Sequence, residues 1–298
     1  MKPLVGMLYN PAVPAVIACV PDLVEYIAVI PDRLWYDLGD DDASGTRFRD
    51  VHGAVDELKR CAEGRVVAGH GIGLSLPSAI ALDLPQVEHV AHLASDLGFQ
   101  WYSEHLSMFL VARGSVPNSQ AGLGLPVPYD EETLDILRPK LAALREAVGA
   151  DVLLENGAFF TRIPDMPMTE PAFLGRLEAE LNCGTLLDLH NLYVGWRNGG
   201  PDPLTYLEQL DADAVKEIHL AGGSVLAGFY TDSHSDVTPS DVWSYAYAMA
   251  PRLRNLRAIT FEFHESYFEK IRLEGLVAEL ERLHELADAV DRSTHRRA

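Results

Sequence analysis

The sequence predicts an α/β fold, a single (β/α)8 barrel, and three observations carry that prediction. Eight short apolar runs recur along the chain, mostly helical segments separate them, and several of the runs end on a histidine or carboxylate. A regular alternation of strands and helices is the pattern of a parallel sheet closed by crossover helices. A chain of 298 residues is long for one average domain but ordinary for a barrel, and no Gly/Ser linker divides it, so residues 1–298 are expected to form one domain.

The strands are read in order as Leu4 to Leu8, Leu23 to Ile30, Arg65 to His70, Gln100 to His105, Asp151 to Glu155, Gly184 to Asp188, Val215 to His219 and Arg257 to Glu262. Helices are expected over Val51 to Cys61, Leu84 to Leu97 with Gly98 as the stop, and Asp130 to Val148, whose first turn is acidic as the helix dipole favours. Thr169-Glu170-Pro171 is a capped helix start that runs to Asn182, and the loop Gly195 to Pro203 precedes a short helix ending near Leu210. Thr238-Pro239-Ser240 opens a helix rich in Trp and Tyr, and Leu273 to Ala289 is a closing amphipathic helix before a polar, frayed tail over residues 291–298. Three connections read as loops. Asp37 to Gly45 is acidic and solvated, Ala112 to Tyr129 is rich in Gly, Pro, Ser and Asn, as a lid or binding loop is, and a long segment carries Thr231-Asp232-Ser233-His234. The Gly222-Gly223 pair is read as a turn after the seventh strand.

The formal net charge of −20 repels polyphosphates over most of the surface, which argues against nucleic acid as a partner. No apolar run reaches the ~20 residues of a membrane span, and the opening Met1-Lys2-Pro3 leads into a poor signal-peptide region, so a cytoplasmic location is expected. Cys19, Cys61 and Cys183 are too few and too scattered for a disulfide framework or a thiolate metal site, and are expected to be buried structural thiols. There is no P-loop, GxSxG elbow or complete GxGxxG fingerprint, since Gly69-His70-Gly71-Ile72-Gly73 lacks the last glycine, so a nicotinamide cofactor is unsupported.

In a barrel the carboxyl ends of all strands meet at one face. That face is expected to receive His70, His105, Glu155, Asp188, His219 and Glu262, with Asn191, Asp232 and His234 reaching in from loops. One histidine at a strand end is ordinarily a hydrogen-bonded core residue, and Asp232-Ser233-His234 alone could be a turn. The coincidence of six ionisable groups is different, because buried carboxylates raise one another's pKa whereas a cation neutralises them and takes neutral imidazole as a ligand. Imidazole with carboxylate and no thiolate suits non-haem iron, manganese or zinc, and the surplus of carboxylates suggests two or more ions. His52, His89, His92, His284 and His295 lie in helical or terminal segments and are expected to be exposed or locally satisfied; His190 and His264 flank proposed ligands and are candidates to support them.

At these residues the chain resembles the multinuclear non-haem iron-dependent oxidative enzymes formerly labelled domain of unknown function 692, which include the iron enzyme of methanobactin biosynthesis. The matching segments are Gly69 to Ser75, Ser103-Glu104-His105-Leu106-Ser107, Leu154-Glu155-Asn156, Leu186 to Asn191, Glu217 to Gly222 and Asp232-Ser233-His234. The resemblance implies a TIM barrel holding two or three irons that, with dioxygen, oxidatively modifies a residue, often cysteine, of a ribosomally synthesised precursor peptide, delivered by its leader or by a separate peptide-recognition partner protein. It further implies that His70, His105 and Glu155 serve one iron and Glu155, Asp188, His219 and Glu262 a neighbour, with Asp232, His234 and Asn191 completing the set and Asp232 and His234 acting in catalysis. The sequence departs from that pattern at Gly223, where a second histidine is usual, at His190 and His264, and at Met7-Leu8-Tyr9-Asn10 after the first strand. Two alternatives stand beside this expectation. One is a divalent-metal-dependent sugar isomerase or epimerase on the same xylose-isomerase-like barrel, and the other is a metal-free barrel acting only in binding.

Overall fold

The computed structural model describes residues 2–39, 46–113 and 116–295. Eight parallel strands close on themselves: β1 (Leu4–Leu8), β2 (Tyr26–Val29), β3 (Val66–Gly71), β4 (Trp101–His105), β5 (Asp151–Glu155), β6 (Gly184–Asp188), β7 (Val215–Leu226) and β8 (Ala258–Glu262). Each pairs with its neighbour in chain order and β8 pairs back with β1, so the barrel has no free edge. Around it lie α1 (Val13–Cys19), α2 (Ala54–Ala62), α3 (Leu84–Leu97), α4 (Glu131–Val148), α5 (Glu170–Leu181), α6 (Leu189–Arg197), α7 (Pro203–Gln209), α8 (Ser240–Met249) and α9 (Phe268–His295).

Side chains of a strand alternate between its faces, and here the alternation separates two cores. The outward set, such as Val67, Tyr102, Val152, Leu154, Leu187, Ile218 and Phe261, packs under the helices in the main hydrophobic core. The inward set forms a smaller cluster of Tyr26, Ala28, Ala68, Trp101, Leu153, Leu186 and Ala258. Two residues further along the same inward faces stand His70, Glu155 and Asp188, while Ser103 and His105 follow Trp101, and Thr260 and Glu262 follow Ala258. Period-two geometry therefore stacks each polar side chain directly above an apolar floor. Gly6 belongs to that floor, since a Cβ there would collide with the Tyr26 ring.

The helices begin and end where side chains and glycines satisfy their free backbone groups. Asp83, Asp130 and Thr169 accept the Gln86, Thr133 and Ala172 amides at the starts of α3, α4 and α5, and Gly98, Gly149 and Asn182 close them in the left-handed region.

Several expectations are corrected. β7 does not turn at Gly222-Gly223 but continues to Leu226 and pairs antiparallel with a return strand, Phe229–Asp236, so Asp232 and His234 lie on a strand rather than a loop. The two glycines serve close backbone approach: a Cβ on Gly222 would meet the Val237 carbonyl at 2.3 Å, and one on Gly223 the Thr231 carbonyl at 2.1 Å. The aperiodic stretch from Ala112 to Tyr129 is largely the second strand of a hairpin, Val116–Leu125 against Met108–Arg113. Its alternation is broken by register shifts, which hides it from a periodicity count. Asp37 ends a short strand, Trp35–Asp37, paired with Phe48–Asp50, and the remainder of the acidic stretch, residues 40–45, lies outside the described residues. Helix α6 follows β6 with no intervening loop, because Asp188 itself caps it. The tail does not fray at residue 291; α9 continues to His295, and residues 296–298 lie outside the described residues. Cys61 and Cys183 are buried thiols, but Cys19 is exposed. No helix among the described residues is long and apolar enough to cross a membrane.

Replacing Gly223 with alanine forces the Thr231 carbonyl away and should cost about 1–3 kcal/mol, typical of overpacking at a rigid backbone contact. Chemical denaturation of Gly223→Ala beside the wild type checks this; a loss below a few tenths of a kcal/mol would show that the hairpin backbone can yield.

Candidate metal centre

Strand register sets the site's level. His105 is the Cα partner of Glu155 across β4 and β5, and Asp188 is the partner of His219 across β6 and β7, so these four side chains enter the barrel mouth side by side. Glu155, Asp188, His219 and Glu262 are all at most 2% exposed, and His70 is 3% exposed. Such burial of charge is unfavourable unless the groups are paired or bound to a cation.

The hydrogen bonds show how the imidazoles are aimed. The Ser103 hydroxyl donates to the Gly69 carbonyl at 3.2 Å, so at 2.9 Å it accepts from His70 Nδ1 and leaves Nε2 bare. His105 Nδ1 donates to the Gly71 carbonyl at 3.0 Å, which again frees Nε2. Both bare nitrogens face Glu155 Oε2, at 3.6 Å from His70 and 3.1 Å from His105. His219 is reversed: Nε2 donates to Glu217 at 3.0 Å, and Nδ1 faces Glu262 Oε1 at 3.2 Å and Glu155 Oε1 at 3.9 Å. Donors about 2.1 Å from one ion stand about 3 Å apart, which is the separation these pairs approach. Three overlapping ligand sets result, namely His70–His105–Glu155, His70–His219–Glu262 and Glu155–Asp188–His219.

Five buried atoms at this mouth make no well-formed hydrogen bond, although three of them lie within ion-pair distance of a neighbour: Glu155 Oε2, Asp188 Oδ2, Asn191 Oδ1, His219 Nδ1 and His234 Nε2. In Glu155, Asp188, Asn191 and His219 the other polar atom of the side chain is held. Asp188 Oδ1 accepts the Asn191 amide at 2.7 Å, and Asn191 Nδ2 donates to the Asn156 carbonyl at 3.0 Å and lies 3.3 Å from Glu155 Oε1. Orphaned lone pairs fixed at one place by their neighbours fit a cation site.

The protonation balance supports the same reading. Burial pushes Glu155 far above the usual carboxylate range, reinforced by Asp188, and pushes Asp188 up to about 6 with help from Asp232. Burial drives His70 well below its usual value, with His105 and His219 adding repulsion, and lowers His105 as well. Burial opposes the charge on His219 too, but Glu262 and Glu217 outweigh it and hold the ring protonated in the absence of a cation. Burial alone would raise Glu262, yet His219 and His234 bring it down to about 2. A bound cation replaces the shared protons in this balance.

Asp232 and His234 reach the mouth from the return strand. Their contact is 3.0 Å, His234 Nε2 lies 3.5 Å from Glu262 Oε2, and His190 Nδ1 holds Asp232 from behind at 2.7 Å. His234 has φ 49, a left-handed conformation that is strained for a non-glycine residue and common at functional sites. The position where a second histidine is usual, Gly223, faces the His190 ring: a Cβ there would lie 3.1 Å from His190 Cε1, so the imidazole of His190 fills that space. His264 is half-exposed at the rim, where its Nδ1 accepts the Ser266 amide. Of the other histidines, His89 pairs with Asp50 at 3.0 Å, His284 with the Leu23 carbonyl at 3.1 Å and His295 with the Asp291 carbonyl at 2.9 Å.

Sequence reasoning missed Glu217, which is 1% exposed. It accepts from the Trp101 indole at 2.7 Å, from Tyr26 and Thr260 at 2.9 Å each, and from His219. Burial would raise its pKa, but the bonds from His219, Trp101 and Thr260 bring it below the usual value. The available signal was spacing: Glu217 is two residues before His219 on one strand and so faces inward with it.

A parallel barrel with imidazole and carboxylate donors converging at its carboxyl-end mouth defines a TIM-barrel protein with a candidate metal centre. The profile of the RiPP precursor modification enzymes MbnB/TglH/ChrH matches residues 21–288, and the chain belongs to that family. It is 32% identical over 233 residues to a UPF0276 protein of Rhizorhabdus wittichii, covering 78% of this chain and 77% of that one. A UPF0276 protein of Caulobacter vibrioides is also 32% identical, over 237 residues, covering 80% of this chain and 78% of the relative. Among solved structures, a xylose isomerase domain protein from Planctomyces limnophilus superposes with a TM-score of 0.58 at 15% identity, over 97% of this chain and 99% of that one. Endonuclease IV from Thermus thermophilus gives 0.56 at 18% identity, over 95% of this chain and all of that one, 100%. These two share the fold.

If the buried carboxylate exists to hold a cation, Glu155→Gln should leave the metal-free protein at least as stable as the wild type while abolishing its stabilisation by added metal. Melting curves of both proteins with and without metal check this, since a ligand that binds only the folded state raises its stability. A metal-free Glu155→Gln protein that melts far below wild type would instead assign Glu155 a structural hydrogen-bonding role.

Proposed function

We propose that the protein is a multinuclear non-haem iron enzyme that uses dioxygen to oxidise a residue, most simply cysteine, of a ribosomally synthesised precursor peptide. The observation that carries this is the convergence of three overlapping histidine–carboxylate sets, in which Glu155, Asp188 and His219 each present a buried atom without a well-formed hydrogen bond, while Asn191 and His234 add one each beside them. Family membership supports a peptide as the substrate, because the family is described as modifying such precursors.

In this reading His70, His105 and Glu155 hold one iron, and Glu155, Asp188, His219 and Glu262 hold a neighbour, with Glu155 shared between them. Asn191, Asp232 and His234 complete the ligands. When bound, the irons supply the redox chemistry with dioxygen that no amino-acid side chain provides. The absence of cysteine at the mouth leaves that coordination to imidazole and carboxylate, the donors suited to non-haem iron.

The chain's own residues do the remaining work. The mouth opens into a cavity of about 360 Å³ that Tyr9, Asn10, Arg33 and His264 line above the ligands, wide enough for a side chain and its flanking backbone. Asn10 is fixed by donating to the Phe263 carbonyl at 2.8 Å, and Arg33 by its 2.7 Å pair with Glu265. Asp232 and His234 border the same cavity. Asp232 lies well below the usual carboxylate range: burial opposes this, but His234 and His190 outweigh it. Asp232 and His234 form the catalytic pair at the cavity wall: burial opposes charge on the His234 imidazole, but Asp232, steadied by His190, and Glu262 raise it to about 10 and hold it beside an arriving substrate. The leader of the peptide, or a separate recognition partner, delivers the substrate to this mouth. The cytoplasm, where precursor peptides are made and thiols stay reduced, is the compartment that suits this reaction.

Protein produced in iron-supplemented cells should contain two or three irons per chain, lost in His105→Ala or Glu155→Ala, and should consume oxygen when given a cysteine-bearing precursor peptide. Elemental analysis, Mössbauer spectra and oxygen uptake check this. A site that rejects iron and fills with manganese, magnesium or cobalt would overturn the proposal and favour a sugar isomerase or epimerase. Tolerance of both substitutions with no metal bound would favour a binding barrel.

A further inference from the structure

Beside the metal centre, on the side of β5 and β6, lies a second cavity of about 280 Å³ that the reaction described above does not use. Its walls are apolar, formed by Phe159, Met166, Met168, Leu192 and Pro203. Asn191 borders this cavity and also lies against Glu155, so one residue separates it from the metal centre.

Its polar groups are few and convergent. Glu170, in the first turn of α5, places its carboxyl among Tyr129, Tyr206 and the Gly157 amide. Glu170 Oε1 and the Tyr206 hydroxyl are both buried with no well-formed hydrogen bond. Burial pushes the Glu170 carboxyl up to about 7, and the surrounding phenols and amide offset only part of that rise. A carboxyl with one buried oxygen lacking a well-formed hydrogen bond, in the wall of an apolar, phenol-lined cavity, is a receptor for a group with a long apolar stem and a cationic, hydrogen-bond-donating head. The cation in its lining, Arg162, is exposed and donates to the Gly199 carbonyl at 2.6 Å, so it stands at the rim and leaves Glu170 without a counter-ion. The formal charge of −20 favours approach of a basic segment.

We propose that this cavity receives a lysine or arginine side chain of the peptide on which the neighbouring metal centre acts, fixing which residue of that peptide reaches the mouth. The inference rests on the peptide reading above, but its test needs neither iron nor turnover. Metal-free protein at pH 8 is titrated with N-acetyl-arginine N-methylamide, its lysine counterpart, its neutral citrulline isostere, and free butylguanidinium, with binding followed by ligand-observed NMR.

One or both basic probes should bind at least tenfold more tightly than the citrulline probe, Glu170→Gln should erase that preference, and Tyr206→Phe should reduce it. Equal affinity for the citrulline probe overturns the proposal without requiring any variant, as does a preference that survives in Glu170→Gln. Binding of butylguanidinium with rejection of both backbone-flanked probes also overturns it, by assigning the cavity to a free alkyl cation rather than a peptide side chain. Failure of the iron reading would appear as missing iron and leave this titration unchanged, whereas failure here would leave iron content unchanged.

Discussion

A carboxylate sealed at the end of a parallel strand must meet positive charge, and Glu155 is where this protein concentrates that requirement. Its two oxygens face three imidazoles, and Asn191 lies against one of them. Within a few ångströms stand Asp188 and Glu262, which cannot all be ionised beside it without a cation. Removing the charge would leave the imidazoles aimed at nothing; keeping it requires protons or metal ions.

The barrel makes this arrangement tolerable by fixing three of its imidazoles from behind. His70 and His105 are oriented by oxygens of the barrel wall, Ser103 Oγ and the Gly71 carbonyl, and His219 by Glu217. Glu217 in turn stands level with the apolar floor, in register with Leu186 and Ala258, and takes the polar atoms of Trp101, Tyr26 and Thr260. Tyr26 and Thr260 are also in direct hydroxyl contact. Such supporting bonds set which nitrogen of each ring is free, and that choice decides whether a histidine can be a ligand at all. The close pairing of β7 with its return strand adds Asp232 and His234 from outside the barrel, which Gly222 and Gly223 permit by carrying no Cβ.

Another carboxyl, Glu170, with one buried oxygen lacking a well-formed hydrogen bond, lies outside this network, lining an apolar cavity with no ion pair to it among the described residues. Asn191 lines this cavity and lies 3.3 Å from Glu155, which lines the other, and its backbone is held by Asp188 through the first turn of α6. The same short helix thus borders the metal centre and the neighbouring cavity, and a ligand in one lies against a residue that shapes the other.

The eight strands, most helices and the inward-facing histidines and carboxylates were legible in the sequence because their causes are local. Strand length and two-residue alternation place His70, His105, Glu155, Asp188, His219 and Glu262 on inward faces near strand ends whatever the rest of the chain does. The return strand, the Met108–Arg113 hairpin and the continuation of β7 through two glycines were not legible, because register shifts break their alternation and only the partner strand shows why glycine is needed. Glu217, His190 and Glu170 were equally silent. Each owes its role to residues far away in the chain, Trp101 and Tyr26 for Glu217, Asp232 for His190, Tyr129 and Tyr206 for Glu170. By itself the sequence determined which chemistry could gather at the barrel mouth; tertiary structure decided which atoms are bare and which are bonded, because hydrogen bonding between distant residues is settled only when the barrel closes.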